Sequence, residues 1–174
     1  MPMTPSQQKL LKTVHLVCVS VWLTGVLLLG LLPWQVGATT SDEGIRMFVS
    51  LYRFIDLQVL TPAAVATLLT GLLYSGFTTW GFARHGWILL KWAVTALLVI
   101  WGTVHLGPSV EALWAWSRSG QTQLATDPIL HQGLRLGVAA AIFNASLLLL
   151  AVTVSVFKPW KNLKLRRTSG PNAS

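Results

Sequence analysis

The groups with chemistry to offer in this sequence are four histidines, one cysteine and a small set of cations. His15 stands inside the apolar run VHLVCVSVWLTGVLLLGLL, and Lys91 inside WILLKWAVTALLVIWGTVHL, which His105 nearly closes. An ionisable side chain is costly within an apolar span, so each such position is a functional candidate by default. An imidazole can ligate a metal or carry a proton at neutral pH. Each group also has a plainer role. Lys91 can snorkel to an interface, and His15 can be a neutral histidine bonded to a neighbouring helix. His105 and His131 form a candidate bis-imidazole pair, with a His131 that faces water as the favoured reading. Arg135 follows His131 by one turn, and Arg53 precedes Asp56 by three residues. His15-x-x-Cys18 sets an imidazole and a thiol one turn apart, a soft-metal pattern with no Met or second Cys beside it. Asn144, on the same helical face as Gly137, is placed to hydrogen-bond across helices. His85, in the turn RHG, reads as solvated.

Helical geometry limits how these groups combine. At ~1.5 Å per residue, His15 and His105 stand about 18 Å apart in depth, too far to share one iron. A haem would therefore use His15 at one site, or His105 with a partner at another. His105 falls within about 40° of Lys91 on a helix of 3.6 residues per turn, so both can face one interior. No carboxylate falls in the middle of an apolar run, which argues against a proton-coupled exporter. A phosphate loop, HExxH, GxSxG and CxxC are all missing from the sequence.

The elements that must carry these residues follow from composition. Of the 174 residues, 53% are hydrophobic and 10% charged. Soluble domains carry about 25% charged residues. That composition excludes a disordered chain and a disulfide-stapled module, and argues against a soluble enzyme. Four apolar blocks, at about 10–33, 57–77, 87–106 and 134–157, each approach the ~20 residues that cross a bilayer as a helix. The alternation of a membrane barrel strand is absent. The first block exceeds a signal-peptide core and reads as a retained helix. The expectation is an all-α, integral membrane four-helix bundle spanning 1–160, followed by a basic, disordered tail at 161–174.

Charge placement orients it. With four spans, Lys9, Lys12, Arg84, Lys91, Lys158, Lys161, Lys164, Arg166 and Arg167 share one side with both termini. Arg46, Arg53, Arg118 and Arg135 lie on the other side, with all five acids: Asp42, Glu43, Asp56, Glu111 and Asp127. The positive-inside rule makes both termini cytoplasmic, and the expected location is the cytoplasmic (inner) membrane. The net charge of +8 is then mostly topology, and nucleic acid is not needed to explain it. Trp34, Trp80, Trp87, Trp114, Trp116 and Trp160 fall at block ends, as interfacial anchors do. The segments IRMFVSLYRFI and SVEALWAWSRSG read as outer interfacial helices, TDP as a helix start, and blocks two and three as an antiparallel hairpin. Ala63, Thr67, Gly71 and Ser75 form a stripe of small residues, as do Gly133, Gly137, Ala141 and Ala145. Such stripes permit close helix approach, or leave a slot for a flat ligand.

Several segments resemble the HemJ-type membrane protoporphyrinogen oxidases: LLKTVHLVCVSVWLTGVLLL with its histidine and Trp-x-x-Gly, LYRFIDLQVLTPAAVATLLTGLLY, GWILLKW, and FNASLLLL with FKPW. The chain is similar also to four-span bacterial proteins, grouped loosely with the copper-resistance D-like membrane proteins, that carry Thr-Gly-Leu-Leu-Tyr and Phe-Lys-Pro-Trp. The resemblance implies His15 as haem ligand, Arg53 and Lys91 as the functional arginine and lysine, and Trp22 and Asn144, in the matching segments, as further cofactor-binding residues. Two departures stand out: Ala-Ser-Leu replaces Glu-Val-Pro after Phe143-Asn144, and His105 is three positions later relative to Lys91.

The leading expectation is a protein binding haem b, acting in electron transfer or porphyrin handling. His15 would hold iron, Lys91 would be sixth ligand or propionate partner, and Arg53 would pair with a propionate or substrate carboxylate. A second reading is oxidation of a porphyrinogen with electrons passed to a quinone, where Arg53 and Lys91 would be catalytic. A third is a haem-free assembly subunit or a copper-handling protein using His15 and Cys18. A homodimer is compatible with all three.

Overall fold

The computed structural model describes residues 4–37, 40–77 and 86–157. The expected tail at 161–174, and the expectations for Trp80, Arg84, His85, Lys158 and Trp160, lie outside the described residues. Every regular element among the described residues is helical. Six helices are present: α1 (Pro5–Leu31), α2 (Asp42–Phe54), α3 (Thr61–Phe77), α4 (Gly86–Trp101), α5 (Gly107–Ser117) and α6 (Pro128–Phe157). Local chemistry sets their starts. Thr4 and Gln7 form a reciprocal capping box with Pro5 in the first turn of α1. The Ser41 hydroxyl accepts from the Gly44 amide, and Asp42 and Glu43 complement the helix dipole. At the start of α6, the Asp127 carboxylate accepts from the Ile129 amide at 2.8 Å, so TDP does open a helix.

The two segments expected as separate outer interfacial helices are instead continuous with the spans. The helix begun at Asp42 runs on to Phe77, and that begun at Gly86 runs on to Ser117. Spans two and three are therefore 36 and 32 residues long, beside 31 for Pro5–Gln35 and 30 for Pro128–Phe157. All four are long and apolar enough to cross a membrane. Polar residues such as Arg53 and Asp56 mimic a loop in sequence, yet no glycine or proline lies between Ile45 and Leu60 to end the helix. Pro108 sits in the first turn of α5, where its missing N–H costs little.

Each long helix is joined by one wide turn. At Ile55–Leu60 the Thr61 amide donates to the Asp56 carbonyl, and at Gly102–Leu106 the Gly107 amide donates to the Gly102 carbonyl. These five-residue spacings are π turns, which insert one residue and rotate everything beyond by about 100°. They are frequent at functional sites.

The bundle has two ends: the N-terminal end, holding the starts of α1 and α4 and the ends of α3 and α6, and the distal end. Helix α1 packs on α3 and α6, and α4 packs chiefly on α6 and less on α3. A mid-bundle core joins Trp22, Val26, Ala63, Ala64, Val94, Leu98, Ala141 and Leu148. The small-residue stripes do bring helices close: Gly30 faces Ala141, Gly71 faces His15, and Gly133 faces Leu113. A second core at the distal end gathers Ile45, Val49, Leu113, Leu124 and Leu130. Asp42 ties it shut by accepting from the Gln123 and Leu124 amides at 2.9 and 2.8 Å. Arg46 donates to the carbonyls of Ser117 and Gln121 at the end of α5. Large apolar side chains from Leu10 and Val17 to Leu149 and Phe157 stay exposed along all four spans. Apolar surface on that scale suits a lipid surround far better than water.

Candidate functional site

The sequence-derived site residues separate into two places. Near the N-terminal end, α1 sets His15 against α3. The His15 Nδ1 lies 2.8 Å from the Thr70 hydroxyl, which itself donates to the Ala66 carbonyl at 2.6 Å. With that proton committed, the hydroxyl oxygen accepts from Nδ1–H, and the lone pair of His15 is left on Nε2. Gly71 lets the ring lie against α3: a Cβ there would stand 3.5 Å from His15 Cε1. Lys91, on α4, is close enough for its charge to act on His15. Its Nζ donates to the Ser155 hydroxyl of α6 at 2.7 Å, half-buried. The Thr67 hydroxyl, one turn before Gly71, is buried and finds no hydrogen-bond partner among the described residues. His15 and Lys91 therefore lie near one another at this end of the bundle.

The second place is a cavity of about 700 Å³ between the mid-bundle core and the distal core. Its walls come from α1, both wide-turned helices and α6, and are mostly apolar. Trp22, Leu60, Leu98, Trp101, Leu136 and Phe143 supply much of the surface. The polar groups on it are few: Tyr52, Asp56, His105, Glu111 and Asn144 among them. Both π turns border it, and they carry Asp56 and His105. His105 stacks on Trp101 with ring centroids 4.4 Å apart. The Tyr52 hydroxyl abuts Gly137 of α6, where any Cβ would collide with it. Asp56 is only 7% exposed, and among the described residues nothing donates a hydrogen bond to its carboxylate. Tyr52 and Glu111 lie within electrostatic range of it.

Arg53 belongs to this end, not to the His15 site. Its Nε donates to Glu111 Oε1 at 2.8 Å, and its guanidinium lies 4.5 Å above the Trp114 ring. Trp22 and Asn144 line the cavity, whereas His15 and Lys91 do not reach it. The proposed ligand set of His15, Lys91, Arg53, Trp22 and Asn144 is thus divided between two sites. His105 and His131 are separated too: His131 and Arg135 line a shallow groove beside Pro33 and Trp34. Among the described residues, no three His, Cys, Asp or Glu side chains gather as a metal site. Tyr52, Asp56 and Glu111 are the cavity residues that reading the sequence in blocks missed. The signal was the four-residue step from Tyr52 to Asp56, visible once the helix is followed unbroken from Asp42.

No family model, curated protein or solved structure matches this chain.

Proposed function

We propose that this chain is a four-span membrane protein, with both termini cytoplasmic, that binds a lipid-soluble quinone in the distal cavity. One observation carries the reading: an apolar chamber of about 700 Å³ between helices long enough to cross a membrane, onto which Tyr52, Asp56, His105 and Asn144 converge. Ligand pockets of this kind are mostly apolar, with a few polar groups that fix orientation. A quinone ring presents flat apolar faces to Trp22 and Trp101 and two oxygens to the polar groups. Its tail can leave between α3 and α4, the less intimately packed pair. The porphyrinogen oxidases that the sequence resembles would also need such an electron acceptor.

Haem b fits the same chamber less well. His105 could ligate iron, but Asp56 and Glu111 would face the anionic propionates, and Arg53 is already committed to Glu111. A separate observation keeps haem as a second reading at the other site. The hydrogen bond that His15 donates to Thr70 orients the ring as outer-shell partners orient ligating imidazoles, and Lys91 supplies a cation nearby.

The test uses purified protein in nanodiscs, titrated with a short-tailed benzoquinone. Saturable quenching of tryptophan fluorescence is expected, since Trp22 and Trp101 line the chamber. Ala140→Phe, which fills it from α6, should abolish the quenching while leaving the helical circular dichroism intact. Quenching that never saturates, or that survives Ala140→Phe, refutes the assignment. An absorption spectrum of the same sample with added haem tests the second reading, which needs a Soret band that His15→Ala removes.

A further inference from the structure

The distal cavity holds an imbalance of hydrogen-bonding groups. Two carboxylates, Asp56 and Glu111, lie on its wall. One guanidinium serves them, and it is bound to Glu111: Arg53 Nε lies 2.8 Å from Oε1. Asp56 is left over. More than nine-tenths buried and lining the chamber, it accepts no hydrogen bond from any described residue. A buried carboxylate without donors is costly, and the cost is recovered by whatever bound molecule supplies one. The π turn that contains Asp56 is what aims a polar residue inward from an otherwise apolar stretch, IDLQVL.

The two redox forms of a quinone differ in this one respect. The oxidised form has two carbonyl oxygens, acceptors only, with nothing to give a carboxylate. The reduced form carries two hydroxyl groups, and either can donate to Asp56. To Asp56 in its ionised form, such a hydroxyl donates one of the stronger kinds of hydrogen bond. The Tyr52 hydroxyl, which both donates and accepts, lies one turn from Asp56 and can serve the ring in either state.

We infer that the cavity selects the reduced ring, the quinol, over the quinone, and that Asp56 is the residue that makes the selection. This rests on the reading of the chamber as a quinone site. Selection is a binding preference, so no electron or proton transfer is required by it. Glu111, with one oxygen committed to Arg53, contributes less.

The experiment compares the two forms of one short-tailed benzoquinone on wild-type protein in nanodiscs, the quinol kept reduced under argon. The oxidised form is followed by tryptophan quenching and the reduced form by competition against it. Quinol affinity at least tenfold above quinone affinity is expected. The midpoint potential of the bound couple should then lie about 30 mV or more above that of the free couple, at ~30 mV per tenfold for two electrons. Asp56→Asn preserves size but lets the amide donate to a carbonyl, and should bring the two affinities within about threefold, mainly by weakening quinol. Glu111→Gln should leave most of the preference in place. Equal affinities in the wild type, tighter binding of quinone, or an unchanged preference in Asp56→Asn each overturn the selection while leaving the quinone site standing. Saturable binding of neither form overturns both.

Discussion

The contact between Tyr52 and Gly137 makes a quantitative test of the distal packing. A Cβ added at Gly137 would overlap the Tyr52 hydroxyl, and the ring behind it is 6% exposed and packed against Phe48 at 5.8 Å. It has little room to retreat except toward the cavity. Gly137→Ala should therefore cost about 1–3 kcal/mol, the usual range for overpacking a filled site. The intrinsic preference of a helix for Ala over Gly works the other way by up to ~1 kcal/mol, so a net loss near 1–2 kcal/mol is the expectation. The colliding atom is the phenolic oxygen, which makes no hydrogen bond among the described residues. Removing it alone, with Tyr52→Phe, should cost less than about 1 kcal/mol. In the double variant the collision is gone and the helix gains Ala. A coupling of about 1–2 kcal/mol should appear in the cycle, within the range for residues in contact. The assay is reversible unfolding in mixed micelles, followed by circular dichroism, for the four proteins. Additive losses would refute the contact. A Gly137→Ala variant more stable than wild type would refute the overpacking.

Three further outcomes follow from hydrogen bonds and charges. Asp42→Ala removes the acceptor for two amides of the distal loop and a favourable charge at the start of α2. It should destabilise by about 2–3 kcal/mol and open residues 118–126 to limited proteolysis, whereas unchanged resistance would show that the loop is held otherwise. The Arg53–Glu111 pair is over a third exposed on both sides, so a double-mutant cycle with Gln at each should give only about 0.2–1 kcal/mol. A larger coupling would mean that the cavity mouth excludes water far more than its exposure suggests. Thr70→Val leaves His15 Nδ1 without its partner and should cost about 0.5–1.5 kcal/mol, with Thr70→Ser recovering most of it. Under the haem reading Thr70→Val should also shift the Soret maximum, and an unaltered spectrum would detach Thr70 from the ligand.

The outline of this protein was legible in one dimension because its physical cause is one-dimensional. A span satisfies its own backbone and needs only about 20 apolar residues in a row, so composition along the chain is enough to find it. That His15 and Lys91 lie toward the same end of the bundle was legible for the same reason, since depth follows residue count. The helix start at Asp127, read from TDP, was likewise local, written within a few residues of its cap.

What the sequence could not settle depended on contacts between distant residues. Whether Arg53 and Asp56 close a loop or sit within a helix was decided by the distal core, where Ile45 and Val49 bury one face of α2 against α5 and the Gln123–Thr126 segment. The two π turns were decided by packing as well, because an inserted residue leaves no mark in composition. Only those turns bring Asp56 and His105 to one chamber, and only the chamber separates Trp22 and Asn144 from His15. Residue types and depth come from the chain alone, while the partner each buried polar group finds, or fails to find, is a property of the packed bundle.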